Sequence, residues 1–404
     1  MTSRSLLIAI SIFMMIPLGG CWDRKELNEL GIAVAIGVDT APRNQLKVTA
    51  QVVVPSKVAS GQLSGKIGTS VTVYEQIAPT FTEAIQKMTV VSPRKVYLGH
   101  IRMFVFGEKF ARKGIASVVE TLIREPSSRA DYYLVVAKDQ AASEILKITT
   151  PLEAIPANKM FTSLNISSDT WAPYTKVTID DLMNTLLDAS GCPVLTGIHA
   201  YGTNQDKSGE GVENITKTEP TVELKFVGLG VFKKDRLVDW LNENESKGYN
   251  FIRNQVKETR DHYDTGNGVR IGFHTFRNKT EVKAAVVQGN PLIRINVTSE
   301  GALSEIQGDA QVLNSSETLH QLERQSSKRV VELMKQAVDS ARQRHHADIF
   351  GFGELIHEEN PKAWKKMKKD WERMLTELNV HYTVDTKISK VGTLLDTFQK
   401  KMKE

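Results

Sequence analysis

Leu18-Gly19-Gly20-Cys21 is the first place where residue type and spacing in this chain point to chemistry. The two small residues would let a peptidase reach the bond before Cys21, and the thiol would be the nucleophile that takes up a diacylglyceryl group. Upstream stand one early cation, Arg4, and an apolar run from Leu6 to Ile16 closed by Pro17. The run falls short of the about 20 apolar residues a spanning helix needs, and it has the n-region and h-region of an export signal. A tilted short anchor helix with an incidental cysteine is the competing reading. Two acyl chains on one sulfur, at about 0.8 kcal/mol per buried methylene, would attach the rest of the chain stably to a membrane. Trp22 follows directly, an amphipathic ring suited to the headgroup level.

Other reactive side chains carry less. His345-His346-Ala347-Asp348 and His357-Glu358-Glu359 suggest metal ligands, but adjacent histidines diverge on a helix, and Pro361 stands where HExxH needs its second histidine. Helix-end polar residues near a dipole explain them better. Cys192, in Gly191-Cys192-Pro193, has no histidine nearby in sequence and reads as a small buried hydrophobe. Gly228-Leu229-Gly230 lies in a strand pattern without the third glycine and helix of a phosphate loop. His100, between Gly99 and apolar strand residues, reads as a buried histidine satisfied by backbone, with a functional role as the alternative. Lys362, Lys365, Lys366, Lys368 and Lys369 form a basic helix face: a solvated surface, or a contact for a membrane or partner at about 1 kcal/mol per lysine near anionic lipid. Neither a catalytic set nor a cofactor motif emerges, so the expectation is a non-enzyme with no cofactor and no metal.

Composition bounds the rest. The chain has 404 residues, 41% hydrophobic and 25% charged, with 52 basic and 47 acidic residues and a net charge of +5. That is too mild a balance to argue for nucleic acid. Removing a signal over residues 1–20 leaves about 380 residues, enough for two or three domains. With Cys21 acylated, Cys192 has no partner in the chain, so stability must come from buried apolar area.

The elements that would hold these residues form an α+β protein. β-rich runs at Gly31–Val38 and Leu46–Val54 flank a Pro/Arg/Asn turn, and an exposed Gly/Ser/Lys loop follows over Ser56–Thr69. Phe81, Ile85 and Met88 make one face of a short helix after Pro79. Val96–Gly107 reads as one buried strand followed by a helix through Ile123, then Tyr132–Ala137 as a strand and Gln140–Ile148 and Ile179–Leu187 as helices. Polar residues 202–220 read as a linker between a first α+β region, 21–201, and a second, 221–404. The second opens with a strand at Thr221–Phe232 and continues with strands at 270–276, 282–288 and 292–297. Leu319, Leu322, Ser326, Val330, Leu333, Ala337 and Ala341 then mark a helix from Ser315 to about Arg344, capped by Asn314 and Glu317, that lies across a sheet. Asn360-Pro361 starts another helix with Trp364, Met367, Trp371, Met374 and Leu378 inward, and Val380–Ile388 closes as a strand.

Several blocks together resemble the Ger(x)C lipoproteins, the C subunits of Ger-type spore germinant receptors. They are Leu18-Gly19-Gly20-Cys21, which resembles the bacterial lipobox (an aliphatic residue, two small residues and a cysteine), with Trp22-Asp23-Arg24-Lys25-Glu26-Leu27 after it, Gly37-Val38-Asp39, and Tyr97-Leu98-Gly99-His100 leading to Ala111-Arg112-Lys113-Gly114-Ile115. Further blocks are Gly230–Val238, Asp348-Ile349-Phe350-Gly351-Phe352-Gly353, Pro361-Lys362-Ala363-Trp364 with Trp371, and Val384-Asp385-Thr386-Lys387-Ile388. Asn242–Tyr249 keeps the family pattern only approximately. The resemblance implies an elongated, multidomain α+β protein with mixed and antiparallel sheets, its N-terminal half divisible into two subdomains. It also implies a non-catalytic receptor component that works with A- and B-type subunits at the spore inner membrane when nutrients trigger germination. A ligand-capturing lipoprotein like a transporter's binding component is the rival, though such proteins alternate strand and helix in both lobes.

Overall fold

The computed structural model describes residues 26–59, 68–125, 129–188, 190–202, 209–264, 269–307 and 316–390. Cys21 and Trp22, the N-terminal apolar run, Asn314 and residues 265–268 lie outside the described residues. Within them, no helix is long and apolar enough to cross a membrane.

The first sheet has nine strands. β1 (Leu30–Ala41), β2 (Gln45–Val53) and β3 (Val71–Ala78) form an antiparallel meander. β5 (Met103–Gly107), β6 (Tyr133–Ala137) and β7 (Val194–Gly202) extend it from β1 as parallel neighbours, and the short β4 (Lys95–Tyr97) lies along the start of β1. β8 (Val222–Lys233) and β9 (Arg236–Leu241) finish it antiparallel. The parallel strands are apolar on both faces because helices cover both. Phe104 and Phe106 of β5 join one core with Phe81, Phe110 and Leu122, whereas Met103 and Val105 join another with Ile145, Met160 and Leu164.

The helices are α1 (Pro55–Ala59), α2 (Phe81–Lys87), α3 (Glu108–Lys113), α4 (Ala116–Arg124), α5 (Ala142–Lys147), α6 (Pro156–Thr170) and α7 (Ile179–Leu187), then α8 (Glu243–Ile252) and α9 (Ser316–Asp339). α10 (Phe352–Glu359), α11 (Pro361–Met367) and α12 (Trp371–Thr376) follow. The second sheet runs β10 (Thr259–Asp264), β11 (Arg270–Val287), β12 (Asn290–Gln307) and β13 (Asn379–Lys390), with β12 and β13 parallel. α9 buries Val330, Leu333, Met334 and Ala337 against Ile293, Ile295 and Val297 of that sheet. The same core takes in Cys192, Val194, Leu229 and Val231, so the two sheets share one apolar interior.

Several expected elements differ. The single strand at Val96–Gly107 is two strands separated by a turn at Leu98–Arg102, and His100 is exposed on that turn rather than buried, its ring 5.8 Å from Tyr97. The helix through Ile123 breaks at Gly114, whose φ of 132° no side-chain-bearing residue adopts readily. The strand at 222–233 pairs with β7, so the first sheet continues past the polar stretch and the second sheet begins only at β10. Strands expected at 270–276 and 282–288 are one 18-residue strand, because the charged residues between them lie on its exposed face. α9 ends in a π-turn at Ser340–His345 closed by left-handed His346, and the expected helix from Pro361 divides around Lys368–Asp370.

Candidate functional site

At β1 the chain turns away to β2 on one side, and at β5 it leaves for β6 on the other. A crevice therefore opens between the carboxyl ends of β1 and β5, the place where open sheets hold ligands. It encloses about 590 Å³ and is lined by Asp39, Thr40, Glu108, Lys109, Arg112, Asp139, Gln140, Ala141 and Glu144. Asp39 sits at the end of β1 with both oxygens engaged: Oδ1 accepts from the Ala142 N–H at 2.7 Å and Oδ2 from the Ser143 N–H at 3.0 Å. These are orphan amides at the start of α5, which a carboxylate satisfies. Burial still outweighs them and holds the Asp39 carboxyl above its ordinary range.

Glu108, opening α3, is the second hub. Its Oε1 accepts from Arg112 Nε at 2.9 Å, from the second Arg112 nitrogen at 2.6 Å and from Trp240 Nε1 at 3.3 Å, and Oε2 accepts from the Asp139 N–H. Burial raises its pKa, but these donors prevail and hold it below the usual range. Both buried carboxylates are thus committed to protein donors. What they do is fix the starts of α3 and α5 over the sheet.

A second hollow lies where the two sheets meet. Two clefts, of about 560 and 730 Å³, flank the segment Asp188–Cys192 and share Cys192 and Asp348 in their walls. Asp348 is fully buried. Its Oδ1 accepts from Phe352 N–H at 3.0 Å, and its Oδ2 from Gly353 N–H at 2.7 Å and Trp371 Nε1 at 3.0 Å, so it caps α10 and ties it to α12. Burial pushes its pKa up against these bonds. Burial, reinforced by Asp348, also pushes the Cys192 thiol up to about 11, which keeps it protonated and a poor nucleophile. The larger cleft carries Lys233, Lys234, Lys368, Lys369 and Arg373, with Lys233 paired to Glu372 at 2.7 Å.

The structure therefore divides the basic face read from the sequence. Lys369 and Lys368 line this cleft, while Lys362, Lys365 and Lys366 are exposed on α11 beside the buried Trp364 and Met367. The two residues at the acylation motif, Cys21 and Trp22, lie outside the described residues.

One constellation was not assembled from the sequence, although His345 itself stood out there. Ser340 Oγ lies 3.0 Å from His345 Nε2, and His345 Nδ1 lies 3.4 Å from Asp239 on β9. Hydrolases use this order of groups, with a nucleophile open to substrate. Here Arg344 Nε also donates to His345 Nε2 at 3.2 Å, both Ser340 and His345 are buried, and neither lines the clefts. Burial lowers the His345 pKa, and its buried Nδ1 makes no hydrogen bond, Asp239 standing off at 3.4 Å, so the ring is not oriented as a catalytic base would be. Among the described residues no three His, Cys, Asp or Glu side chains gather as a metal would need.

Comparison with known proteins adds what geometry does not. Residues 23–200 match a family profile described as "Spore germination protein N-terminal domain", and residues 227–392 one described as "Spore germination B3/ GerAC like, C-terminal". The chain is 30% identical to "Spore germination protein KC" of Bacillus subtilis (strain 168), covering 97% of both chains. It is 26% identical to "Spore germination protein B3" of the same organism, covering 96% of this chain and 98% of that one. Among solved structures, the crystal structure of the GerBC protein superposes with a TM-score of 0.52 at 19% identity, covering 91% of this chain and all of that one. At that identity the likeness speaks for the α+β fold alone.

Proposed function

Because the chain belongs to the spore germination family of GerAC-like proteins, we propose that it is a lipid-anchored, non-catalytic C subunit of a germinant receptor. Acylated Cys21 holds it on the outer face of a membrane, in a spore the inner membrane, where it works with A- and B-type subunits in nutrient-triggered germination. The observation that carries this reading is continuity: family likeness extends over nearly the whole chain and begins at residue 23, two residues after the lipobox cysteine. The interior agrees with a scaffold. Asp39, Glu108, Glu245 and Asp348, the buried acids a catalyst would use, all accept from backbone, indole or guanidinium donors. Lys362, Lys365, Lys366 and Lys369 are the contacts this reading offers to a partner subunit or to anionic lipid.

Cys21→Ala in spores tests it. The variant is expected to fold, to leave the membrane fraction, and to germinate slowly on nutrients. Unchanged retention and response would overturn the reading. The clefts beside Cys192 favour a second one, a ligand-capturing lipoprotein, since their volumes suit a small solute. Calorimetric titration with amino acids and sugars separates the two, and saturable micromolar heats would support the second.

A further inference from the structure

We propose that the amino-end edge of the first sheet, around Val90-Val91 and the start of β1 and β4, is the face that rests on an anionic phospholipid bilayer. The proposal builds on the reading of Cys21 as the attachment point. From Cys21 to Leu30, where β1 begins, the chain has nine steps, a reach of at most roughly 30 Å. The amino end of β1 can therefore lie no further than that from the headgroups. Its carboxyl end, at Asp39, stands a further roughly 30 Å along the strand.

The residues at the near end suit that position. α2 descends from the carboxyl-end side of the sheet, and the loop after it runs beside β4, whose Lys95 pairs in register with Leu30. Val90 is 83% exposed and Val91 54%, the one place among the described residues where two strongly exposed large apolar side chains are neighbours in sequence. Scattered exposed apolar residues need no explanation, but an adjacent pair on a braced turn does. The turn is braced: Val91 and Ser92 N–H groups donate to the Met88 carbonyl at 3.1 and 2.8 Å. The Ser92 hydroxyl accepts from the Arg94 N–H at 3.2 Å and donates to the Arg94 carbonyl at 2.7 Å. Met88 and Ser92 point inward while the two valines are held in solvent.

Cations stand at this end: Arg94, Lys95 and Arg102 lie at the amino ends of β4 and β5, with Lys95 and Arg102 exposed. The carboxyl ends carry both signs, Asp39, Glu108, Asp139 and Glu144 with Lys109 and Arg112. Glu26 and Glu29 on the tether offset part of the basic charge, so the valine pair supplies the insertion and the cations bias its orientation.

The test uses the full, lipidated chain in vesicles of phosphatidylcholine and phosphatidylglycerol with brominated acyl chains. A bimane label is placed at Val90→Cys or, as a control at the opposite end, at Lys109→Cys, with the unsubstituted chain as the blank for Cys192. Flotation with the vesicles reads the anchor separately. The expected result is quenching at position 90 and none at 109, with Arg94→Ala and Lys95→Ala each shifting the resting-to-free ratio by about fivefold. Flotation with no quenching at 90, or with equal quenching at both positions, overturns the proposed face. Failure to float overturns the anchor and the face together.

Discussion

Gly107→Ala is a sharper probe of the sheet's carboxyl end than removal of any charged group. Gly107 has φ of −64° and ψ of 142°, a conformation alanine adopts freely. On backbone grounds alone the substitution should stabilise by about 0.4–1 kcal/mol through the unfolded chain. Space decides otherwise. An added Cβ would fall inside contact distance of Asp39 Oδ1 and 3.3 Å from the Ala142 N–H that the same oxygen accepts. The carboxylate must swing away, leaving one or two buried amides of α5 unpaired at about 1–3 kcal/mol each. We expect a net loss of about 2–3 kcal/mol, similar to that of Asp39→Ala. The decisive measurement is the double-mutant cycle, read from urea unfolding of the four proteins. In the Asp39→Ala background the clash is gone, so Gly107→Ala should cost less than about 1 kcal/mol, a coupling of about 2 kcal/mol. Additivity within about 0.5 kcal/mol would refute the steric argument.

Three further outcomes follow from other close contacts. Cys192, with its thiol near 11, should be unreactive toward a disulfide reagent at pH 8 in the native protein and react promptly once unfolded; prompt native reaction would mean the junction between the sheets is open. Gly248 on α8 sits where a Cβ would strike the Leu333 carbonyl of α9, so Gly248→Ala should force the helices apart and cost about 1–3 kcal/mol by thermal unfolding. Glu323 on α9 accepts from the Ile388 N–H at 3.0 Å, and Ser327 from Thr386 N–H at 3.2 Å, which plugs the outer edge of β13. Partial burial raises the Glu323 pKa, but the Ile388 amide and His320 outweigh it and lower it below the ordinary value. Its stabilisation is therefore present at neutral pH and lost as pH falls through the folded value, and Glu323→Gln should flatten that acid limb of the stability curve.

Legibility followed periodicity. The stripe Leu322, Ser326, Val330, Leu333 and Ala337 foretold α9 to within a few residues, because one apolar face repeating at 3.6 residues has few other uses. Asn360 caps its helix through its side-chain oxygen, as its place before Pro361 implied, and Thr178 and Asn242 cap theirs in the same way without having been singled out. α6 left no comparable trace: Pro156–Thr170 is rich in Ser, Thr and Asn, poor helix formers, and is held in place by burial of Met160 and Leu164 against the sheet. Val96–Gly107 misled because Leu98 and Ile101 are buried turn residues, apolar for reasons other than strand alternation. Of the buried acids, Asp39 was visible only as part of a family block, and Glu108 gave no signal.

By itself the sequence determined the lipobox-like cysteine, the helix and strand periods and the family, since each is written in residues close together along the chain. Tertiary structure alone decided which strands run parallel, that β8 joins the first sheet, and that Asp39 meets Ala142 or His345 meets Asp239. Such pairs are separated by about a hundred residues, and what brings them together is the burial of both faces of a sheet, a property of the folded whole with no local spelling.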